Sequence, residues 1–188
     1  MSWKVDNGNT RLRECQTALQ KLLDADILSF GDRIGFKQFD HECDTLLPIT
    51  DVSDESLTLL RDKVHALTTR GGTKFFCAIQ SCLRDLQAGG TNEQWIIALT
   101  DGETHWQSDE ETSHSSIKNE LGRSKMPGLK LVTIIVGPNT QGHLIDELAA
   151  SCHESNKVIP LRVGTDDIAA AFSEVREILS GGGLSEDL

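Results

Sequence analysis

The feature that most constrains the fold is an apolar run, Gln94–Thr100, which stops at an acidic residue followed by glycine, Asp101-Gly102. A continuous apolar run of this length is typical of a β-strand that is buried on both faces, in the middle of a parallel sheet covered by helices. Open sheets of this kind bind ligands at the carboxyl ends of their strands. Asp101 is therefore the first candidate for a functional residue, although an Asp-Gly pair can also simply form a turn.

Strand and helix patterns alternate along the rest of the chain. Between the strand-like runs, apolar residues recur at the three- and four-residue spacing of amphipathic helices. The expected strands are 34–39, 45–50, 94–100, 129–137 and 158–163. Alternating strands and helices predict βαβ crossovers. We therefore predict an α/β fold, with a doubly wound, mostly parallel sheet and helices on both faces, as in Rossmann-like proteins.

The composition of the chain disfavours several classes of function. The chain has 188 residues and a formal net charge of −11, which disfavours binding to nucleic acid or to an anionic membrane. No apolar run approaches the roughly 18 residues that span a bilayer, and the N-terminus has no signal-peptide pattern. The five cysteines include no Cys-x-x-Cys pair, which indicates free thiols in a reducing, cytoplasmic compartment. We expect an atypical N-terminal segment at 1–10, one domain at 11–179 and a flexible Gly-rich tail at 180–188.

Two loops at the predicted carboxyl edge of the sheet carry oxygen ligands. One is Gly71-Gly72-Thr73, and the other is Thr100-Asp101-Gly102-Glu103. Carboxylate, hydroxyl and water oxygens suit Mg²⁺ or Mn²⁺, which often bind to only one or two protein carboxylates. The pattern is compatible with a Mg²⁺ or Mn²⁺ site at this edge.

The order of the elements resembles the von Willebrand factor A domain family, from about residue 11 to about residue 179. The resemblance is carried by five segments, which are 31–36 with Phe39, 46–51, 70–73, 96–103 and the last strand and helix from Val158 to Leu179. It implies a VWA-type fold and a non-enzymatic protein-interaction module. It also implies a metal-ion-dependent adhesion site, at which an acidic side chain of a protein partner completes the coordination of Mg²⁺.

By this resemblance, Thr73 supplies a hydroxyl ligand and Asp101 a carboxylate, directly or through water. The family's first loop reads Asp-x-Ser-x-Ser after an apolar strand, and this chain departs from that pattern. Only Asp6 and Thr10, at the two ends of 6–10, match it in part. The departure has two readings. Either the first loop is degenerate and the metal site is weak or absent, or the first strand is missing and the sheet lacks a central strand.

The loop after Asp101 is the predicted contact surface for a partner. We assign Glu103 and Trp106 to it, because aromatic residues are enriched at binding hot spots, and we expect His114 to decorate the same rim. The alternative for Trp106 is that it folds back onto the edge of the sheet. A second near-match to the first-loop motif, 51–56, is explained by helix capping through Asp51 or Ser53.

Three functional hypotheses follow. The first is the interaction module with a Mg²⁺ or Mn²⁺ site. The second is a Mg²⁺-dependent hydrolase or phosphatase-like enzyme, which the absence of Asp-x-Asp at a strand end, Gly-x-Ser-x-Gly and a phosphate-binding glycine loop disfavours. The third is a metal-free scaffold of the same fold.

Overall fold

A computed structural model of the chain describes most of its residues. The described ranges are 11–25, 27–68, 72–87, 93–100, 108–122, 128–136, 142–164 and 167–180. They form helices and strands that alternate along most of the chain. The helices are α1 (Arg11–Leu23), α2 (Asp54–His65), α3 (Phe75–Gln87), α4 (Ser108–Gly122), α5 (Gly142–Ala150) and α6 (Ile168–Leu179). The strands are β1 (Arg33–Phe39), β2 (Cys43–Asp51), β3 (Gln94–Thr100), β4 (Leu129–Val136) and β5 (Lys157–Val163).

The chain divides into two compact units. The first comprises the described residues of Met1–Phe36, Thr45–Thr69 and Val163–Leu188, and the second those of Lys37–Asp44 and Arg70–Arg162. β1 and β2 form a two-stranded sheet. Because only residues 40–42 connect them, they must run antiparallel.

In the first unit, α1 contacts both α2 and α6. The core of this unit includes the buried residues Leu47, Leu60 and Val64. Leu19 and Ile34 pack against them. Polar bonds reinforce this packing, because the side-chain amide of Gln16 donates to the carbonyl oxygens of Val64 and His65, each at 3.1 Å. These bonds attach α1 to the carbonyl groups in the last turn of α2, beyond which the helix supplies no further N–H groups.

The second unit contains a three-stranded sheet in the order β3-β4-β5. β3 pairs with β4 in parallel, in a register that runs from Gln94 opposite Leu129 to Thr100 opposite Ile135. One face of the sheet packs against α3, α4 and α5. The buried residues of this core are Phe75, Phe76, Ile79, Leu83, Ile96, Ala98, Ile117, Leu121, Leu129, Leu131, Ile135, Ile145 and Leu148. The parallel pairing and the alternation of elements confirm the predicted α/β class.

In the described structure, β3 pairs with β4 on one side. In the described part of this sheet the central strand is β4, whose residues on both faces are almost all buried. β3 alternates between buried and more exposed residues, and Ile97 is 36% exposed. The reason is that β3 has a described neighbour on one side only.

Helix capping matches the sequence prediction at α2. The Ser53 hydroxyl accepts from the Ser56 N–H at 3.2 Å, and the Ser56 hydroxyl accepts from the Ser53 N–H at 2.9 Å. This reciprocal pair is a capping box, and it accounts for the near-motif at 51–56. Asp167 is the N-cap of α6, but its side chain makes no capping hydrogen bond. Among the described residues, no helix combines the length and the apolar character that crossing a membrane requires.

Candidate functional site

One of the predicted site residues lies in the described part of the chain. Thr73 immediately precedes Lys74 and the first turn of α3. The others lie outside the described residues, and they are Asp6, Thr10, Asp101, Glu103 and Trp106. Their assembly with Thr73 therefore stays a prediction. The surroundings of residues 72–74, called the Thr73 loop below, show what this part of the site can do.

The connection between β1 and β2 holds the Thr73 loop from one side. Gly72 has a φ of +92°, and a Cβ atom there would lie 3.2 Å from both the backbone nitrogen and the Cβ of His41. The backbone N–H of Lys74 donates to the carbonyl oxygen of Asp40 at 2.7 Å. The Asp40 carboxylate is buried and accepts from the N–H of Glu42 at 2.9 Å, which fixes the connection itself. The close approach at Gly72 thus needs a residue without a side chain.

The first turn of α4 holds the start of α3. Glu110 is fully buried, and its two carboxylate oxygens accept from the backbone N–H groups of Phe76 at 3.0 Å and Cys77 at 2.9 Å. The first N–H groups of a helix have no partner within the helix and carry partial positive charge. A carboxylate from a neighbouring helix therefore caps α3, directly after the Thr73 loop.

An ion pair joins the same two elements. The Lys74 ammonium group lies 2.5 Å from the Asp109 carboxylate. The hydrogen bond from Lys74 lowers the pKa of Asp109 below its ordinary value, and the same bond raises the pKa of Lys74. Both side chains are partly exposed, so solvent weakens their attraction. The pair fixes the orientation of Lys74 beside Thr73.

Thr73 itself is half-buried, and its hydroxyl group makes no hydrogen bond within the described ranges. It is thus an uncommitted oxygen on a loop that is held from two sides. Such an oxygen can bind to a hard cation or donate a hydrogen bond to a partner.

The described residues do not by themselves fit a divalent metal ion. A hard cation needs several oxygen ligands, at least one of them usually a carboxylate. The carboxylates next to the Thr73 loop are already engaged, Asp109 with Lys74 and Glu110 with the start of α3. In the described ranges, no group of three or more His, Cys, Asp or Glu side chains is placed to hold a metal. Any negatively charged ligand must come from elsewhere in the chain.

The prediction for His114 is wrong. His114 is 6% exposed and lies inside the second unit, with its Nε2 atom 3.1 Å from the carbonyl oxygen of Leu144 and its ring edge-on to Phe76. Glu110 and His114 lie on the same face of α4 as Ile117 and Leu121, at helical spacing. That spacing is present in the sequence, but two polar residues at its start conceal it. The burial of Glu110 follows from the same spacing, but its partners in α3 do not.

Together, these features define an α/β domain with a parallel sheet and an anchored loop at the start of a helix. The profile of the von Willebrand factor type A domain family matches residues 1–169. The chain therefore belongs to this family, whose members are generally protein-interaction modules rather than enzymes.

Solved structures of the same class resemble the chain in fold. A von Willebrand factor type A protein from Catenulispora acidiphila has a TM-score of 0.67 at 16% identity over 91% of this chain, which spans 39% of that protein. BatB from Bacteroides thetaiotaomicron has a TM-score of 0.65 at 18% identity, and the match covers 92% of this chain and 88% of the BatB chain. The vWF domain of the type V pili tip protein Mfa5 from Porphyromonas gingivalis has a TM-score of 0.62 at 14% identity. The match covers 95% of this chain and 90% of that domain's chain. No curated protein sequence matches the chain. At sequence identities this low, the structural similarity establishes only that the fold is shared.

Proposed function

We propose that the chain is an intracellular protein-interaction module that contacts a protein partner through the Thr73 loop and residues 101–107. The observation that carries the proposal is the Thr73 hydroxyl, which has no hydrogen-bond partner within the described ranges. Its loop is held by the hydrogen bond from the Lys74 N–H to the Asp40 carbonyl oxygen, and the start of α3 directly after it is held by Glu110. A loop that is ordered before binding loses little conformational entropy when it binds. The five free cysteines support an intracellular location, because thiols persist in reducing compartments.

The proposed contact surface includes Glu103 and Trp106. Both belong to the segment that joins β3 to α4, and the residues that follow it, 108–110, lie beside the start of α3. This position of α4 supports a common surface for the segment and the Thr73 loop. Trp106 would supply the aromatic anchor that interfaces favour.

A comparison of two arginine variants tests this surface. Immobilised wild type, Thr73→Arg and Thr112→Arg are each exposed to a lysate of the source cells, and the retained proteins are quantified by mass spectrometry. Thr112 is an exposed α4 residue, so its variant is the matched control for an added positive charge. We expect a set of proteins retained by the wild type and the control to be lost with Thr73→Arg. Equal retention by all three would contradict the proposal.

A second candidate is the same module with a Mg²⁺ or Mn²⁺ ion bound by Thr73 and Asp101, assisted by Asp6 and Thr10. The free Thr73 hydroxyl favours it, and the bound ion would accept an acidic side chain of the partner. Binding to the folded state alone raises stability by about 2.7 kcal/mol at 100 times the dissociation constant. Titration with each ion should therefore raise the melting temperature of the wild type and of Thr112→Ala, but not that of Thr73→Ala. If neither ion shifts any of them, the metal-free scaffold is the correct form.

A further inference from the structure

The tip of the β1–β2 hairpin, residues 37–44, packs along α3 through alternate residues of β1. The hairpin tip, α3 and the Thr73 loop all belong to the second compact unit. Lys37 and Phe39 are two positions apart in a strand, so their side chains leave β1 on the same face. The Phe39 ring meets the ring of Phe75, the first residue of α3, edge-on, with the centroids 6.0 Å apart. This face of β1 therefore contacts the beginning of α3.

Lys37 joins the hairpin tip to α3 further along the helix. Its ammonium group donates to the Ser81 hydroxyl at 2.8 Å and lies 2.8 Å from the Asp85 carboxylate. Ser81 and Asp85 are four residues apart, so they occupy neighbouring turns on one side of α3. The Lys37 side chain is 13% exposed, so water screens this ion pair less than it screens a pair on the open surface. The contact is therefore a specific polar link between the hairpin tip and the helix.

The connection between β1 and β2 extends this link to the Thr73 loop. The Asp40 carbonyl oxygen accepts from the backbone N–H of Lys74 at 2.7 Å. The Asp40 carboxylate accepts from the N–H of Glu42 at 2.9 Å and lies 2.9 Å from Nδ1 of His41, so side chains of the connection hold it in one conformation. A shift of the hairpin tip along α3 would therefore move the Asp40 carbonyl group and, with it, residues 72–74.

We propose that Lys37 is a positioning residue for the Thr73 loop, on which it acts through the hairpin tip. Its ion pair with Asp85 fixes the hairpin tip along α3, and the hairpin tip in turn fixes the Asp40 carbonyl group that holds Lys74. A loop that is held in place before binding pays a smaller entropic cost when a partner binds. The importance of Lys37 for partner binding rests on the proposed function, whereas its effect on the loop does not.

Amide exchange of the full chain, resolved by residue with NMR, tests this role without a partner. Lys37→Met removes the ammonium charge from a side chain of similar length, and Asp85→Asn removes the charge of the carboxylate. In both variants we expect the Lys74 amide to exchange several-fold faster relative to the amides of β4, whose burial makes them report unfolding of the whole unit. Lys118→Met is the matched control, because it breaks a more exposed ion pair with Glu147 of α5 and should leave the Lys74 rate unchanged.

A double variant separates positioning from a general loss of stability. Because both substitutions remove the same ion pair, Lys37→Met combined with Asp85→Asn should speed exchange at Lys74 no more than the stronger single variant does. Effects that multiply in the double variant would overturn the proposal. Equal acceleration at Lys74 and throughout β4, or an unchanged Lys74 rate in the single variants, would overturn it as well.

Retention from the lysate of the source cells connects the loop to binding. Proteins whose retention requires Thr73 should be retained less by Lys37→Met and by Asp85→Asn, and as well as by the wild type in Lys118→Met. Equal retention by all of these variants would overturn the role of Lys37 in binding. If the wild type retains no protein that requires Thr73, the proposed function fails, and exchange at Lys74 still decides whether Lys37 positions the loop.

Discussion

The conformation of Gly72 and the free hydroxyl of Thr73 are the single-residue features that define the Thr73 loop. The glycine-rich pattern before Thr73 is visible in the sequence, and it predicted both a loop and a hydroxyl ligand. The role of Glu110 was not predictable in the same way, because its partners at Phe76 and Cys77 are distant in sequence. Local patterns reveal residues that act through their own backbone. They do not reveal residues that act on another element.

Replacement of Gly72 by alanine should destabilise the protein. The positive φ disfavours any residue with a Cβ, and the new Cβ would also approach His41 too closely. We expect a loss of about 1–3 kcal/mol in the free energy of unfolding, measured with denaturant. Gly128 is the matched control, because its φ is +85° but nothing lies within 4 Å of an added Cβ. A Gly128→Ala loss as large as that of Gly72→Ala would show that the contact with His41 does not matter.

Replacement of Thr133 by valine should keep or raise stability. The Thr133 hydroxyl is buried in β4 and has no hydrogen-bond partner in the described structure. A buried hydroxyl without a partner costs about 1–3 kcal/mol, and valine has nearly the same shape. The expected gain is up to about 1 kcal/mol in denaturant unfolding. Thr112→Val, which removes a surface hydroxyl bonded to the Ser108 carbonyl at 2.7 Å, is the control and should give no gain. A clear loss in Thr133→Val would contradict this description of the core.

At the scale of elements, the site depends on two sets of contacts. One joins α4 to α3, and the other joins the tip of the β1–β2 hairpin, residues 37–44, to the Thr73 loop and to α3. The helices and strands themselves were largely predictable, since their apolar periodicity is strong. The residues at which they begin and end were less predictable. β2 begins at Cys43 rather than at Thr45, and it ends at Asp51 rather than at Thr50. The contacts between elements depend on side chains that periodicity does not mark.

Replacement of Glu110 by glutamine should weaken the start of α3. The carboxylate accepts two backbone N–H bonds, whereas an amide offers one acceptor and directs its NH₂ group at the second donor. We expect a loss of about 2–4 kcal/mol, given that hydrogen bonds to charged groups contribute about 1.5–3 kcal/mol each. Glu111→Gln, at the exposed neighbouring position, should change stability by less than about 0.5 kcal/mol. Similar losses in the two variants would exclude the capping role.

The Lys74–Asp109 pair should give the Thr73 loop a defined pH dependence. The pKa of Asp109 is lowered from 3.8 in the folded state, so its contribution is present above that value and disappears as pH falls through the lowered pKa. The pKa of Lys74 is raised from 10.5, so its contribution is present below that value and disappears as pH rises through the raised pKa. In an NMR titration, the Asp109 carboxyl midpoint should move up in Lys74→Met. An unchanged midpoint would mean that the pair does not form in solution.

At the scale of the whole molecule, the family and the fold class were predictable. Each of the five segments resembles the family only weakly, but their order along the chain is more informative than any one of them. The metal site stays a prediction, because it requires loops from three parts of the chain. Of those loops, the described structure shows the one with Thr73. It also shows that the adjacent carboxylates of Asp109 and Glu110 already have other partners.

The position of the contact surface is the central claim, and amide hydrogen exchange measures it most directly. The chain is compared alone and in complex with a protein whose retention requires Thr73. We predict that binding slows exchange in residues 72–77 and in the hairpin connection 40–42, with no change along the outer face of α2. If the slowed amides lie only on α2 or α5 and the Thr73 loop exchanges as before, the contact surface is elsewhere and the account is contradicted.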